Sequence, residues 1–235
     1  MTKPAVRLHL YLAAGSDRAV ILRQGPARQA RMILWHRDTD SFEDGQWLKQ
    51  RLYKDRCAIS PDGRHFLFFA LNGHWGGVAQ GAYTAISRPP YFTAVALFPQ
   101  GNTWGGGGWF VDNSLFVADG AADVIGGAKD LVRLVRTDVS PRYPLGLKLA
   151  DGRAAPIGKA KAARAFKAPE PVPELELYET SGGRLYRREG ADLTLIRDFT
   201  EMAFEPIRAP YDTRPQNDAD PDSAPSWHPL GRGKG

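Results

Sequence analysis

The chain has 235 residues, of which 43% are hydrophobic and 11% aromatic. This composition excludes a globally disordered chain, and the length suits one large all-β domain or two smaller domains. The formal net charge is +5, but the basic residues are spread along the chain. Nucleic-acid binding through these dispersed residues is therefore kept only as a second alternative function.

The single cysteine, Cys57, excludes an intrachain disulfide and a zinc site built on several thiolates. Near the N-terminus, Arg7 and His9 interrupt the apolar run, so a signal-peptide core is not predicted. No segment approaches the roughly 20 apolar residues of a membrane-spanning helix. We therefore expect a soluble, cytoplasmic protein without membrane contact.

Strand patterns dominate the first part of the chain. Three strands are predicted at Val6–Leu12, Arg18–Gln24 and Arg31–Arg37, with Gly-rich or Gly-Pro breaks between them. The segment LWHRDTDSFEDGQW, at Leu34–Trp47, is the densest polar and aromatic region, and we interpret it as containing an Asp-rich turn. If the strand continued through this region instead, His36, Asp38 and Asp40 would share one face.

Two further strands flank the tetrapeptide Ser-Pro-Asp-Gly at 60–63, in which proline and glycine suit a tight turn. The stretch AISPDGRHFLFF, at Ala58–Phe69, resembles the repeat of TolB-like β-propellers, in which a strand ends in this tetrapeptide and a basic residue follows. The resemblance covers one repeat. It implies a binding scaffold and no particular chemistry.

The second part of the chain continues the strand pattern. Strands are predicted in YTAIS, YFTAVALFP, GGWFVDNSLFVAD and DLVRLVRTDV, with a hairpin turn at Asp112–Ser114. Residues 120–136 are predicted as a short helix or as a loop leading into a strand, because Gly126 and Gly127 disfavour a longer helix.

Composition suggests the domain boundaries. Residues 156–173 are rich in Ala, Lys and Pro, and we predict an exposed connector there. Residues 212–235 have the composition of a disordered tail. The remainder, 1–211 with the connector inside it, is predicted to be a single β domain.

An internal similarity bears on the architecture. Arg7–Gly45 and Glu174–Ile207 both run as a Leu-x-Leu-Tyr strand, a Gly break, a second strand, and an apolar strand closing in Arg-Asp. Their offset of about 165 holds about four units of the roughly 40 to 45 residues typical of a propeller blade. We expect an all-β fold, a small irregular β-propeller of four or five blades. The alternative is a β-sandwich or two packed antiparallel sheets.

The leading functional hypothesis is a non-catalytic binding or assembly module that recognises a protein or peptide partner through aromatic loop residues. Tryptophans that instead close the ends of the core are the alternative interpretation of the same pattern. The candidate binding residues are Trp35, His36, Asp38, Trp47, His74, Trp75 and Trp104.

A carbohydrate-active hydrolase that uses Asp38, Asp40 and Glu43 as acid-base groups is the first alternative. Asp38 and Asp40, with His36, raise the question of a metal site. An Asp-rich turn in which Asp38 accepts backbone N–H bonds explains them without a ligand. The glycine-rich loop Gly101–Phe110 lacks the Gly-Lys-Ser/Thr ending of a nucleotide loop. We predict no cofactor, no metal and no catalytic residues, and the sequence leaves the oligomeric state open.

Overall fold

The computed structural model of the protein describes residues 6–26, 28–125, 128–137, 146–149, 153 and 164–213. Strands make up 44% of the structure and helices 6%, which confirms the all-β prediction. In the described part of the chain, the strands form four sheets. The predicted tail at 212–235 lies outside the described residues except for its first two positions. No helix among the described residues is long and apolar enough to cross a membrane.

The first sheet is a four-stranded meander in which each strand is antiparallel to the next. Its strands are β1 (Arg7–Leu12), β2 (Arg18–Gln24), β3 (Ala30–His36) and β4 (Ser41–Leu48). The middle residues of β2 and nearly all of β3 are buried without alternation. Because successive side chains point to opposite faces of a sheet, both faces of these strands are covered.

The second sheet is built around three strands that are almost entirely buried. It contains β5 (Arg51–Leu52), β6 (Ala58–Ile59), β7 (Phe66–Leu71), β8 (Ala82–Ser87) and β9 (Ala94–Pro99). The two short strands β5 and β6 both pair with β7, and β7, β8 and β9 follow as antiparallel neighbours.

The Ser-Pro-Asp-Gly turn joins β6 to β7, as the sequence predicts. Ser60 donates its backbone N–H to His65 at 2.9 Å, and Gly63 donates to Ser60 at 2.9 Å. Gly63 has a φ of 71°, and a Cβ there would lie 2.5 Å from the Cβ of Arg18. Glycine is therefore required both by the backbone conformation and by the approach of β2.

The third sheet contains β10 (Gly108–Phe110), β11 (Leu115–Ala118), β12 (Val132–Thr137) and β13 (Gly146–Leu149). The β11–β12 pair is parallel and the other two pairs are antiparallel. The predicted hairpin turn between β10 and β11 is confirmed, because the Asp112 carboxylate accepts the backbone N–H of Leu115 at 2.8 Å. No helix lies in the described residues of 120–136, so the loop leading into a strand is the correct alternative there.

The fourth sheet has three antiparallel strands, β14 (Tyr178–Ser181), β15 (Arg184–Glu189) and β16 (Asp192–Asp198). A 3-10 turn at Pro173–Leu177 precedes it, so Leu175 of the internal similarity lies in a turn and not in a strand. Of the predicted connector, residues 156–163 lie outside the described part of the chain, and Ala165 is fully buried. The connector is therefore not exposed throughout.

Apolar clusters link the sheets in succession. One cluster joins the first and fourth sheets, a second joins the first and second sheets, and a third joins the second and third sheets. The strands β1, β6, β10 and β14 lie at one edge of their sheets, and β1 contacts both β14 and β6 while β10 contacts β6. Residues of β1, β6 and β10 border a common space.

Candidate functional site

Trp35 is fully buried between the first and fourth sheets. Its ring stacks on Phe42 with 5.9 Å between ring centroids and meets Tyr178 edge-on at 4.7 Å. Its indole nitrogen donates a hydrogen bond to the Asp40 carboxylate at 3.2 Å. The prediction that Trp35 is a binding residue available at the surface is therefore wrong, because its ring packs between two sheets.

Trp47 is also buried, at the end of β4. The guanidinium groups of Arg23 and Arg31 lie over its ring, 5.3 and 5.4 Å from the centroid, and Phe204 contacts it from the chain beyond the fourth sheet. The expectation that Trp47 sits on an exposed loop is wrong, because the polar residues around it belong to a strand.

The acidic segment after β3 is held by arginines of the fourth sheet. Asp40, in the turn between β3 and β4, accepts a hydrogen bond from Arg187 at 2.8 Å as well as the one from Trp35. Asp44, on β4, accepts one from Arg197 at 2.6 Å. These ion pairs connect the first and fourth sheets, so the two carboxylates serve packing.

The other polar residues of this segment lie apart from one another. β3 ends at His36, so a strand does not carry His36, Asp38 and Asp40 on one face. The imidazole of His36 is 2.8 Å from the Glu43 carboxylate on the neighbouring strand, and Asp38 is exposed in the turn. The described residues contain no group of three or more His, Cys, Asp or Glu side chains placed to hold a metal ion.

Two loops at one end of the second sheet carry large exposed apolar side chains, which form the candidate binding surface. Trp75 is 53% exposed, Val78 64% and Trp104 93%. We call these three residues the aromatic loop surface. The predicted binding residue His74 is exposed beside Trp75.

The first of these loops, residues 72–81, connects β7 to β8 and is closed at its base. Asn72 and Gly73 donate their backbone N–H groups to Gly81 at 2.9 and 3.0 Å. The Trp75 ring covers Gly81 so closely that a Cβ at Gly81 would lie 2.2 Å from it. One face of this indole is therefore supported by backbone while the rest is open to solvent.

The second loop, residues 100–107, follows β9 and is fixed by side chains. Asn102 accepts the backbone N–H groups of Trp104 and Gly105 at 3.0 and 3.2 Å. Arg56 donates to the carbonyls of Thr103, Trp104 and Gly105 and lies over the ring of Phe69. The backbone of this loop is therefore held by side chains, while the indole of Trp104 stays exposed.

The two loops contact each other. Gln100 donates its backbone N–H to the Ala82 carbonyl at 2.8 Å. A Cβ at Gly101 would lie 3.3 Å from the side-chain oxygen of Gln80. Trp75, Val78 and Trp104 thus belong to neighbouring loops on one edge of the protein.

A cleft of about 1080 Å³ opens between the edge strands β1, β6 and β10 and the segment that precedes the fourth sheet. Tyr11, Cys57, Trp109 and Pro171 are among its lining residues. The indole nitrogen of Trp109 donates to the carbonyl of Arg164 at 3.1 Å and so attaches that segment to the third sheet. Sequence reasoning missed this cleft, because it is formed by residues far apart in the chain.

The cleft contains no activated nucleophile among the described residues that line it. Burial raises the pKa of the Cys57 thiol to about 12, and the thiol donates to the carbonyl of Tyr53 at 3.4 Å. Burial likewise raises the pKa of the Tyr11 hydroxyl, which donates to the carbonyl of Lys54 at 2.7 Å. Both groups are protonated at neutral pH, so neither is an activated nucleophile.

In comparisons with known proteins, no family model, no curated protein and no solved structure matches the chain. The similarity of Ala58–Phe69 to TolB-like propeller repeats therefore stays a hypothesis.

Proposed function

We propose that the protein is a non-catalytic binding module that recognises a protein or peptide partner through the aromatic loop surface. The observation that carries this proposal is the exposure of Trp104, 93%, on a loop whose backbone is fixed by Arg56 and Asn102. A large apolar ring presented on an ordered loop is typical of a recognition residue.

The energetics favour binding at this surface. A tryptophan side chain has about 150 to 250 Å² of surface to bury, and burial of apolar area contributes about 25 cal/mol per Å². Because the loop is already ordered by hydrogen bonds, little conformational entropy is lost when a partner covers the ring. Trp75, supported by Gly81, provides a second anchor of the same kind.

Of the sequence-predicted binding residues, His74, Trp75 and Trp104 remain in this proposal. The carboxylates of the hydrolase alternative gain no support, because Asp40 is bound to Arg187 and Glu43 lies 2.8 Å from His36. Nucleic-acid binding gains none either, because several basic residues act inside the fold. Arg133, for example, is buried and donates to three backbone carbonyls.

The architecture that best fits this function is a propeller whose four sheets act as blades. The linkage of the fourth, first, second and third sheets by successive apolar clusters supports this arrangement, as does the shared cleft beside β1, β6 and β10. A single domain over 1–211 is part of the proposal, since Tyr211 donates a hydrogen bond to the carbonyl of Thr93, directly before β9 of the second sheet, at 2.7 Å.

Selection from a displayed peptide library tests the proposed function. We expect the wild-type protein to enrich peptides with a shared apolar motif, and Trp104→Ser to weaken their binding about 30-fold, as loss of a central anchor does. Leu195→Ser is the matched control, because Leu195 is 51% exposed but lies on the fourth sheet. If Trp104→Ser, Trp75→Ser and Leu195→Ser bind the selected peptides as wild type does, the proposal is wrong.

A further inference from the structure

A second, smaller pocket lies at the opposite end of β7 from the Trp75 loop. It has a volume of about 380 Å³. Its lining consists of Arg18, Arg64, His65, Arg88, Pro89 and Asp130. Three arginines and a histidine around so small a space distinguish it from the apolar cleft, and the aromatic loop surface does not include it.

The fold brings these residues together from four elements. His65 directly precedes β7 and Arg88 directly follows β8, and the neighbouring residues Phe66 and Ser87 are paired across the two strands. Arg18 begins β2 and its side chain lies against Gly63 of the Ser-Pro-Asp-Gly turn. Asp130 lies two residues before β12. The pocket is thus built where the first, second and third sheets meet.

His65 is the buried centre of the pocket. The residue is 5% exposed, yet neither of its ring nitrogens has a hydrogen-bond partner among the described residues. Its Nε2 is 3.5 Å from a carboxylate oxygen of Asp130, but the contact is not a hydrogen bond. A buried polar group without a partner costs about 1 to 3 kcal/mol, so such a group at the wall of a polar pocket points to a ligand.

The imidazole is also held in place. The Ser60 hydroxyl oxygen accepts the backbone N–H of His65 at 3.0 Å, and the Phe110 ring stacks against the imidazole with 6.5 Å between centroids. The Ser-Pro-Asp-Gly turn therefore fixes the residue that has no partner. A preorganised donor of this kind loses little entropy on binding.

The charge around His65 is mainly positive. Arg18, Arg64 and Arg88 face one carboxylate, that of Asp130. The Nε of Arg64 makes one long ion pair, 3.7 Å from the Asp62 carboxylate. The Arg88 guanidinium lies 5.4 Å from the centroid of the Tyr211 ring, a contact that positions the group without neutralising its charge. Guanidinium groups match the geometry of phosphate oxygens and bind them with paired hydrogen bonds.

We propose that this basic pocket binds a phosphate-type oxyanion, either free or as the terminal group of a small phosphomonoester. The arginines supply charge and forked donors, and an N–H of His65 supplies the buried hydrogen bond. The site is independent of the aromatic loop surface, so either can exist without the other.

Isothermal titration calorimetry with inorganic phosphate at constant ionic strength tests the proposal. We expect saturable binding by the wild-type chain and at least tenfold weaker binding by Arg64→Gln. This substitution leaves the core intact, because the Arg64 side chain is 74% exposed. Arg7→Gln is the control for net charge, because Arg7 is an exposed arginine of β1 outside the pocket, and it should change the affinity less than twofold.

A second variant acts in the opposite direction. Asp130→Asn removes the one carboxylate of the pocket and should strengthen phosphate binding several-fold, whereas a merely destabilising change would weaken it.

A parallel titration with glycerol 3-phosphate distinguishes free phosphate from a phosphomonoester as the ligand. Tighter binding than phosphate indicates a monoester, and equal binding indicates that the phosphate alone is recognised. Absence of saturable binding to both, or equal losses in Arg64→Gln and Arg7→Gln, would overturn the proposal.

Discussion

At the scale of single residues, burial and not chemical type decides which aromatic and basic side chains are available for binding. Trp35 and Trp104 are the same amino acid, but one is enclosed between two sheets and the other is almost fully exposed. His65 and His74 differ in the same way, since His65 is buried without a hydrogen-bond partner among the described residues while His74 lies on a loop. Residue type therefore identifies candidate binding residues, and burial in the fold determines which of them can contact a ligand.

The burial of His65 predicts a pH dependence of stability. Burial lowers the pKa of His65 below its ordinary value of 6.5, and the nearby Asp130 and Asp62 only partly offset that effect, while Arg88 and Arg64 add to it. The unfolded chain, which carries His65 with an ordinary pKa, therefore binds more protons than the folded chain below about pH 6.5. The stability that depends on neutral His65 is fully present above about pH 6.5 and is lost as the pH falls from there through the folded-state pKa.

Urea unfolding at about pH 7.5 and about pH 5.5 measures this effect. We expect the free energy of unfolding of the wild type to fall between the two values, and the fall to be smaller in His65→Gln. A residual fall is expected in the variant, because burial also lowers the pKa of His9. An equal fall in both proteins would show that His65 does not contribute.

At the scale of elements, local pattern predicted β1, β2, β3, β7 and the hairpin turns, because their apolar runs and turn residues are contiguous in the chain. It missed β4. The residues SFEDGQWL have the composition of a loop. Asp44 is nevertheless accommodated in a strand, because its carboxylate accepts a hydrogen bond from Arg197 of the fourth sheet. Gly45 is small because a Cβ there would lie 1.9 Å from the carbonyl oxygen of Pro90. Both residues are explained by contacts with residues distant in sequence, and a local sequence pattern carries no information about such contacts.

The Asp44–Arg197 pair gives the element-scale prediction. Both side chains are partly buried and 2.6 Å apart, so a double-mutant cycle with Asp44→Asn and Arg197→Gln should give a coupling energy of about 1 kcal/mol, measured by urea unfolding. The coupling should weaken in about 1 M salt, where the Debye length is about 3 Å. Lys54 and Asp55 form an exposed control pair, and their coupling should be near zero. Equal coupling in the two pairs would contradict a packing role for Asp44.

At the scale of the whole molecule, the order of the sheets follows the chain except that the last sheet packs against the first. Leu185 and Phe199 of the fourth sheet and its flank join the core of Leu8, Ile21 and Trp35. The internal similarity between the two ends of the chain does not by itself indicate this contact. Neither the cleft nor the basic pocket could be predicted, since each collects residues from three sheets or their flanks.

The segment after the fourth sheet connects three sheets. Glu205 accepts a hydrogen bond from Arg31 of the first sheet at 2.9 Å, and the Ile207 carbonyl accepts one from Gln46 at 2.8 Å. The Tyr211 hydroxyl then donates to the carbonyl of Thr93, directly before β9 of the second sheet, at 2.7 Å. Arg31 and Gln46 are buried, so the segment supplies partners to side-chain donors that the fold shields from water.

Truncation at two positions measures what this connecting segment contributes. A chain ending at Thr200 loses one hydrogen-bond partner each of Arg31, Gln46 and Thr93. Buried groups left unsatisfied cost about 1 to 3 kcal/mol each. We expect its free energy of unfolding to lie at least about 3 kcal/mol below that of a chain ending at Thr213, which retains the segment. Tyr211→Phe in the full chain isolates one contact and should cost about 1 kcal/mol. Equal urea midpoints for both truncations would contradict the inference that residues 201–213 hold the sheets together.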